Sequence, residues 1–301
     1  MLQMHVYFKQ TSALNRFILV FAISNAFSHS PETTMTIHPD FLPVRTPLSI
    51  TLSVWNALFL REAVSRLATG RIAWLWLLAE PVLHISMMLF MFTVIRMRAV
   101  EGMTTEAWLI IGLVFFLMFK RVSTQVQNGL GANRALFTYR QVKPIDALLV
   151  RAALESFLTC LIAIIFWLGS FFFNILLYPA DPLIVLMVFF GMGLMGLGYG
   201  LITSVAVELI PKMNTVLGIF STALYLTSGV IFPISNIPQP YREWLLINPL
   251  LHGTEVARMG MSHFYHGMSG VAVSYLYSCA IVAIFLGLAL HRRFEAKLTS
   301  L

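Results

Sequence analysis

Charged side chains are scarce in this chain of 301 residues. Asp, Glu, Lys and Arg together make up 11% of it, whereas hydrophobic residues make up 58%. A typical soluble domain has about 25% charged and about 45–50% apolar residues. A soluble fold of this length could not bury so much apolar surface, so the composition predicts an all-α polytopic membrane protein.

The motifs of an enzyme that works alone are also missing. No G-x-x-x-x-G-K-[ST] sequence occurs, so the chain has no phosphate-binding loop for ATP. H-E-x-x-H, G-x-S-x-G and C-x-x-C are absent too, and no pair of carboxylates suggests acid–base catalysis. Buried charges that would relay protons in a secondary transporter are sparse. We therefore expect no catalytic residue and a transport pathway that takes its energy from elsewhere.

Cysteine and clustered metal ligands are rare. Cys160 and Cys279 lie in apolar runs, which is typical of small core residues rather than of a disulfide or metal pair. His252, His263 and His266 fall near one another, with a spacing that could bind a metal weakly. Scattered loop histidines are more often incidental, so we expect no metal site and no cofactor bound by this chain.

Six apolar stretches approach the roughly 20 residues that a helix needs to cross the membrane. They cover 74–95, a run beginning at 107, 154–177, 183–209, 215–232 and 271–290. If both ends of this six-span core are cytoplasmic, only four basic residues lie outside: Arg96, Arg98, Arg242 and Arg258. This satisfies the positive-inside rule, so the net charge of +7 indicates topology and not a nucleic-acid partner.

Residues 1–48 have no place in this pattern. Their run FILVFAISNAF follows Lys9 and Arg16, as in a secretory signal, but is too short to cross the membrane. Cleavage after it would invert the core against its loop charges. We expect an extension outside the core, disordered or partly an upstream artefact with Met35 as the working start.

An amphipathic segment, 49–70, precedes the six-span domain, which we place at 71–301. Its apolar side chains recur at helical spacing, and Glu62 and Arg66 are one turn apart and could pair. Such a helix lies in the headgroup plane and would anchor the first span. The alternative is a collar that guides substrate to a lateral opening.

Glu80 stands in the first span, directly before Pro81. An acid inside the membrane usually faces a bundle interior or water, so Glu80 is a candidate gate or subunit-contact residue. Equally, Pro81 could occupy the first turn of a helix that Glu80 caps. Further on, Gly196 and Gly200 in the fourth span predict a close helix–helix contact.

The outer loop at 230–258 holds four prolines between short apolar runs. None of these runs can cross the membrane, so we predict short re-entrant helices after Pro233, covered by protein or water. Trp244 suits the outer interface, and Glu255 and Arg258 are three residues apart and could pair. The loop would either cap the bundle or form an exit gate.

Five stretches, in this order, resemble the permease subunits of bacterial polysaccharide ABC exporters, in particular the inner-membrane component of capsular polysaccharide export systems. They are LFLREAVSRL, LWLLAEP, RQVKPIDALLVRAALE, FPISNIP and NPLLHGTEVAR. The resemblance covers about residues 50–295, judged on motif order rather than on any single motif. Residues 1–34 have no counterpart in it.

The resemblance implies a homodimer of six-span subunits that binds two copies of a separate ATPase, which uses ATP and Mg. It implies a channel at the dimer interface for a lipid-linked polysaccharide, passed on to a periplasmic adaptor and an outer-membrane channel. The chain would then lie in the bacterial inner membrane. Two alternatives are an exporter of O-antigen or teichoic-acid chains and, in a different class, an integral-membrane transferase acting on lipid-linked sugars.

The loop before the third span is basic, and in exporters of this kind a short helix there docks on the ATPase. Pro144 suits the first position of a helix, and Asp146 in the first turn suits the helix dipole. Apolar side chains in the next turn would form a knob, and basic ones could meet acids of the ATPase. The candidate coupling residues are Arg140, Lys143, Pro144, Ile145, Asp146 and Leu149, with Leu148 beside them in the apolar knob.

A polymer that slides through a conduit needs a surface for stacking without a deep binding well. Aromatic side chains offer such a surface to sugar rings. The candidates for the conduit wall are Phe115, Phe116, Phe119, Tyr199 and Tyr225.

Overall fold

The computed structural model describes residues 46–67, 73–95, 102–137, 142–173, 175, 177–234 and 237–299. Helices dominate these ranges, which confirms the predicted all-α class. They are α1 Pro47–Leu67, α2 Ala73–Ile95, α3 Thr105–Gln127, α4 Gly129–Ala132, α5 Pro144–Phe172, α6 Pro182–Leu209, α7 Met213–Thr227, α8 Tyr241–Leu245, α9 Pro249–Met261, α10 Val273–Arg293 and α11 Glu295–Thr299, with a 3-10 turn at Arg134–Leu136.

Four helices among the described residues are long and apolar enough to cross a membrane: α3, α5, α6 and α10. The first predicted span is matched by α2, whose apolar part is Leu78–Phe92. The fifth is matched by α7, which has only 15 residues. At about 1.5 Å per residue, α7 is shorter than the roughly 30 Å hydrocarbon layer. The extension at 1–48 lies almost wholly outside the described residues.

Several helices begin at a residue whose side chain caps the helix, as the chemistry of that residue predicts. Asp181 precedes Pro182, and its carboxylate accepts hydrogen bonds from the first free amides of α6. Asn248 does the same before Pro249 at the start of α9, and Thr104 caps α3. Proline at the first position of a helix needs no amide donor, so these pairs set where each helix begins.

Helix α3 is the centre of the bundle and packs against α2, α5, α6 and α9. The predicted close contact of the glycine-rich helix is confirmed. A Cβ on Gly196 would lie 2.7 Å from the Phe119 carbonyl oxygen, and one on Gly200 would lie 2.6 Å from the Val126 Cβ. These glycines therefore let α6 approach α3 more closely than any side chain would permit.

The interpretation of Pro81 as a first-turn residue is wrong. Helix α2 begins at Ala73, and Pro81 lies inside it. Glu80 therefore does not cap a helix start, and its side chain is exposed on the surface of α2. The tryptophans and apolar residues before Glu80 continue the helix, which outweighs the local preference of proline for a helix start.

Candidate functional site

The start of α5 is held by Asp146. Its Oδ2 accepts a hydrogen bond from the Lys143 amide at 3.3 Å, which closes the first turn behind Pro144. Its Oδ1 accepts one from the Trp55 indole Nε1 of α1 at 2.8 Å. Both carboxylate oxygens thus have partners in this chain, and Asp146 both caps its own helix and ties it to α1.

The other predicted coupling residues differ in exposure. Lys143 is exposed, Ile145 and Leu149 are half-buried, and Pro144 is buried. Leu148 is fully buried and packs beneath Gly129, so its place in an exposed apolar knob is wrong. Arg140 lies outside the described residues. The surface at this end is therefore Lys143 with the partly exposed Ile145 and Leu149.

Among the described residues, the segment that begins at Pro144 is not a separate short helix. Helix α5 runs without interruption from Pro144 to Phe172, so the predicted docking segment and the third span are one helix. Its start is ten residues earlier than the predicted span. No glycine or proline separates Asp146 from Leu154, and Leu148, Val150 and Ala152 are buried along the way. Continuous burial and the absence of a helix breaker keep the segment helical.

Three arginines around the basic loop have carboxylate partners within this chain. The pairs are Arg121–Glu155, Arg134–Glu208 and Arg151–Glu62. Each pair joins residues far apart in the sequence, and their carboxylates are largely buried. Much of the loop's positive charge is therefore neutralised internally and is not offered to a partner.

Glu62 has a partner that helical spacing does not predict. Its Oε1 accepts a hydrogen bond from Arg151 Nε at 2.8 Å, across the contact between α1 and α5. The side chain of Arg66, the predicted partner, lies outside the described residues. Within α1, Leu58 and Glu62 are buried, whereas the apolar side chains of Leu60 and Val64 are exposed.

Glu155 is a site that sequence reasoning missed. It is completely buried in α5, and Arg121 Nε of α3 donates to its Oε2 at 2.9 Å. An acid within an apolar helix is itself a signal of a polar partner or a functional site, so the residue could have been found. The pair locks α3 to α5 near the docking end.

Four of the five predicted conduit residues form one aromatic cluster between α3, α6 and α7. Phe116 lies 5.8 Å from Phe119 and 4.9 Å from Tyr225, measured between ring centroids, and Phe119 lies 5.6 Å from Tyr199. Phe220 stacks on Tyr199 at 6.4 Å and is half exposed. The cluster therefore reaches the surface of α7 through Phe220.

Phe115 does not belong to this cluster. It packs edge-on against Phe189 at 5.5 Å and lines an apolar pocket of about 320 Å³ between α3, α5 and α6. Glu80 lies on another helix, α2, with His84 exposed one turn further on. The predicted gate and conduit residues thus fall in three places rather than one.

The predicted pair of the outer loop is confirmed. Arg258 Nη1 donates to Glu255 Oε1 at 2.6 Å, and both residues are buried in α9. The guanidinium carbon lies 3.7 Å from the ring centroid of Trp108 in α3, which adds a cation–π contact. Burial, with the Glu255 carboxylate beside it, raises the pKa of Tyr265 to about 12. Its hydroxyl donates to Glu255 Oε2 at 2.9 Å.

The remaining outer residues are peripheral. Trp244 is 75% exposed in α8, which suits the predicted place at the outer interface, and Pro233 is half-buried beyond α7. His252 is buried, and its two ring nitrogens contact the Leu246 carbonyl and the Ala272 amide. Its role is to fix the segment around α9, because both nitrogens are already engaged.

Comparisons with known proteins show the family of this chain. Residues 53–262, more than half of the chain, match the family described as ABC-2 type transporter. The polysialic acid transport protein KpsM of Escherichia coli is 35% identical over 250 residues, which are 81% of this chain and 95% of that protein.

Two further relatives extend the likeness. The capsule polysaccharide export inner-membrane protein CtrC of Neisseria meningitidis serogroup A is 30% identical over 82% of this chain and 93% of its own. BexB of Haemophilus influenzae, with the same description, is 26% identical over 85% of this chain and 96% of its own. The family resemblance predicted from the five sequence stretches is confirmed: the chain belongs to the ABC-2 type transporter family of membrane proteins.

Proposed function

We propose that this chain is the permease subunit of a capsular polysaccharide ABC exporter. It moves a lipid-linked polysaccharide across the inner membrane, and a separate ATPase supplies the energy. The observation that carries the proposal is the likeness to KpsM, CtrC and BexB over more than four fifths of the chain. The chain has no phosphate-binding loop of its own, which agrees with an external source of energy.

We place the ATPase at the start of α5. Lys143 is exposed there, and Ile145 and Leu149 offer partly exposed apolar surface beside it. Among the described residues nearby, Arg121 and Arg151 are paired with internal carboxylates, so these two arginines are not part of the docking surface. Lys143 supplies charge at its rim, and the apolar residues supply the buried contact.

The working unit is a homodimer with six spans in each subunit. Exposure of Glu80 and His84 on α2 supports this, because ionisable side chains inside a membrane face water or protein rather than lipid. Helix α7 also supports a subunit interface, because Leu217 is its single buried residue and most of its other residues are exposed. A second subunit against α2 and α7 would cover these surfaces and enclose the water-lined channel between them.

The channel wall includes the aromatic cluster, which reaches the proposed subunit interface through Phe220. Rings at this position let sugar units stack and slide, because stacking provides area without strong directional bonds. The segment from Pro233 to α9 dips into the outer side as re-entrant helices and bounds the exit. The polymer then passes to a periplasmic adaptor and an outer-membrane channel.

Replacement of Lys143 tests the docking surface. The variant Lys143→Glu should still insert and dimerise, because this side chain is exposed. We expect the amount of ATPase that copurifies with it to fall about tenfold, since a rim charge would be reversed. The matched control is Arg292→Glu, an equally large charge change on an exposed residue at the end of α10.

The control should copurify with the ATPase as the unaltered chain does. If Lys143→Glu and the unaltered chain bind equal amounts of the ATPase, the docking surface is not at the start of α5. If the purified subunit modifies polysaccharide without ATP or an ATPase, the chain is a transferase and not an exporter subunit.

A further inference from the structure

Two polar contacts join α1 to the start of α5. One is the hydrogen bond from Trp55 Nε1 to Asp146 Oδ1, and the other is the ion pair between Glu62 and Arg151, each at 2.8 Å. We call these four residues the clasp. Trp55 and Glu62 are about two helical turns apart, so the clasp holds the two helices at two separate points and fixes the angle between them.

The ion pair of the clasp is shielded from water, whereas Trp55 is exposed. The side chain of Glu62 is 7% exposed and that of Arg151 is 13% exposed. Separating them would leave a carboxylate in a poorly solvated place without its cation, which is unfavourable. When the start of α5 moves, α1 is therefore expected to move with it.

The side of α1 opposite the clasp carries exposed apolar side chains. Leu60 is 55% exposed and Val64 is 43% exposed, and both lie about half a helical turn away from Trp55 and Glu62. Such a face is stable at the boundary between lipid headgroups and acyl chains, where an amphipathic helix lies. Helix α1 thus links the docking end of α5 to the membrane surface.

We propose that Trp55, Glu62 and Arg151 are positioning residues for export. The clasp transmits the movement that the ATPase imposes on the start of α5 to α1. Helix α1 then shifts in the membrane surface, where the lipid anchor of the substrate is taken up. This inference rests on the proposed function, because it requires an ATPase near Lys143. It makes α1 a moving part of the exporter instead of a passive anchor.

Variants of the clasp test the proposal in a complex of this chain and its ATPase reconstituted in lipid vesicles. In Glu62→Gln and Arg151→Gln, we expect bound ATPase and basal ATP hydrolysis to stay within about twofold of the unaltered complex. Polysaccharide exported per ATP hydrolysed should fall at least about fivefold. The exchange of charges in E62R/R151E should restore at least about half of the loss, since the pair is rebuilt.

Trp55→Phe is a finer probe, because it keeps an aromatic ring at this position and removes the indole N–H donor together with the five-membered ring that carries it. We expect export per ATP to fall about twofold. Arg134→Gln is the matched control: it removes an arginine–carboxylate pair at the same end of the bundle that does not involve α1. Its export per ATP should be unchanged.

Movement of α1 can be measured directly. With Cys160 and Cys279 replaced by serine, spin labels at Ser53 of α1 and Lys120 of α3 occupy exposed positions. Binding of a non-hydrolysable ATP analogue to the complex should change the distance between them, and Glu62→Gln should abolish this change. A purely structural clasp would leave the nucleotide-dependent change in place.

Failures of the two proposals look different. Normal export per ATP in Glu62→Gln and Arg151→Gln, an unrestored charge exchange, or an equal defect in Arg134→Gln would each overturn the role of the clasp. So would a label distance that does not respond to nucleotide in the unaltered complex. By contrast, if the unaltered chain binds no ATPase at all, the proposed function itself is wrong.

Discussion

Buried arginine–carboxylate pairs occur at both ends of the helix bundle, but they are built differently. At the outer end, Glu255 and Arg258 lie one turn apart in α9, and neither is exposed. At the cytoplasmic end, Arg151 and Arg121 reach carboxylates on other helices and keep some access to water. The outer pair therefore stiffens one helix and its neighbour, whereas the cytoplasmic pairs are joints between separate helices.

The comparison is tested most strongly by removing the outer cation. Arg258→Met should lower the free energy of unfolding by about 3–5 kcal/mol, because Glu255 would stay buried without its partner. A fall in the apparent Tm of the detergent-solubilised protein measures this. The double variant E255Q/R258M should recover part of the loss, since no charge is then left buried. If the double variant is no more stable than Arg258→Met, this explanation is wrong.

A smaller loss is expected at the cytoplasmic joint. Arg121→Gln leaves Glu155 buried, but the arginine is 16% exposed, so water and neighbouring groups can partly replace it. We expect a loss of about 2 kcal/mol, measured in the same way. A loss as large as that of Arg258→Met would show that the two ends do not differ.

Tyr265→Phe tests an interaction of Glu255 that involves a neutral partner. It removes the hydrogen bond to Glu255 Oε2 and keeps the ring, so the cost should be about 1 kcal/mol. Because the pKa of Tyr265 is raised, its hydroxyl stays protonated and donates throughout the neutral range. The stability difference from the unaltered protein should therefore be the same at pH 6 and pH 8, and a pH-dependent difference would argue against this hydrogen bond.

The smallest effect is expected for the cytoplasmic pair whose arginine is open to water, because water can replace the arginine at the Glu208 carboxylate. Arg134 is 53% exposed, so Arg134→Gln should change stability by no more than about 0.5 kcal/mol. Raising the salt concentration should have little further effect on that variant. A loss near that of Arg121→Gln would show that exposure does not govern the strength of these joints.

Sequence reasoning succeeded where the interaction is local. Pro144 and Asp146 marked the start of a helix, and the spacing of Glu255 and Arg258 predicted their pair, because each depends on residues within one helical turn. It missed partners that are distant in the sequence. Helical spacing does not predict the pair of Glu62 with Arg151 or that of Glu155 with Arg121.

The predicted conduit residues were partly predicted from the sequence and partly decided by helix packing. Phe116, Phe119, Tyr199 and Tyr225 were chosen for their chemistry, and the packing of α3, α6 and α7 brings them together. Phe115 has the same chemistry and neighbours Phe116, but in a helix adjacent residues face different directions. Which aromatic faces the cluster was therefore decided by the rotation of α3 in the bundle.

Composition, apolar length and the pattern of basic loops by themselves determined that this chain is an α-helical membrane protein, and Pro144 with Asp146 marked the start of one helix. These properties follow from solvation in lipid and from hydrogen bonding within one turn. Only the tertiary structure decided that the segment beginning at Pro144 forms the first turns of a spanning helix, that Leu148 is buried, and that α1 is held by the clasp. Those facts depend on contacts between helices far apart in the sequence, whose energies a local pattern does not contain.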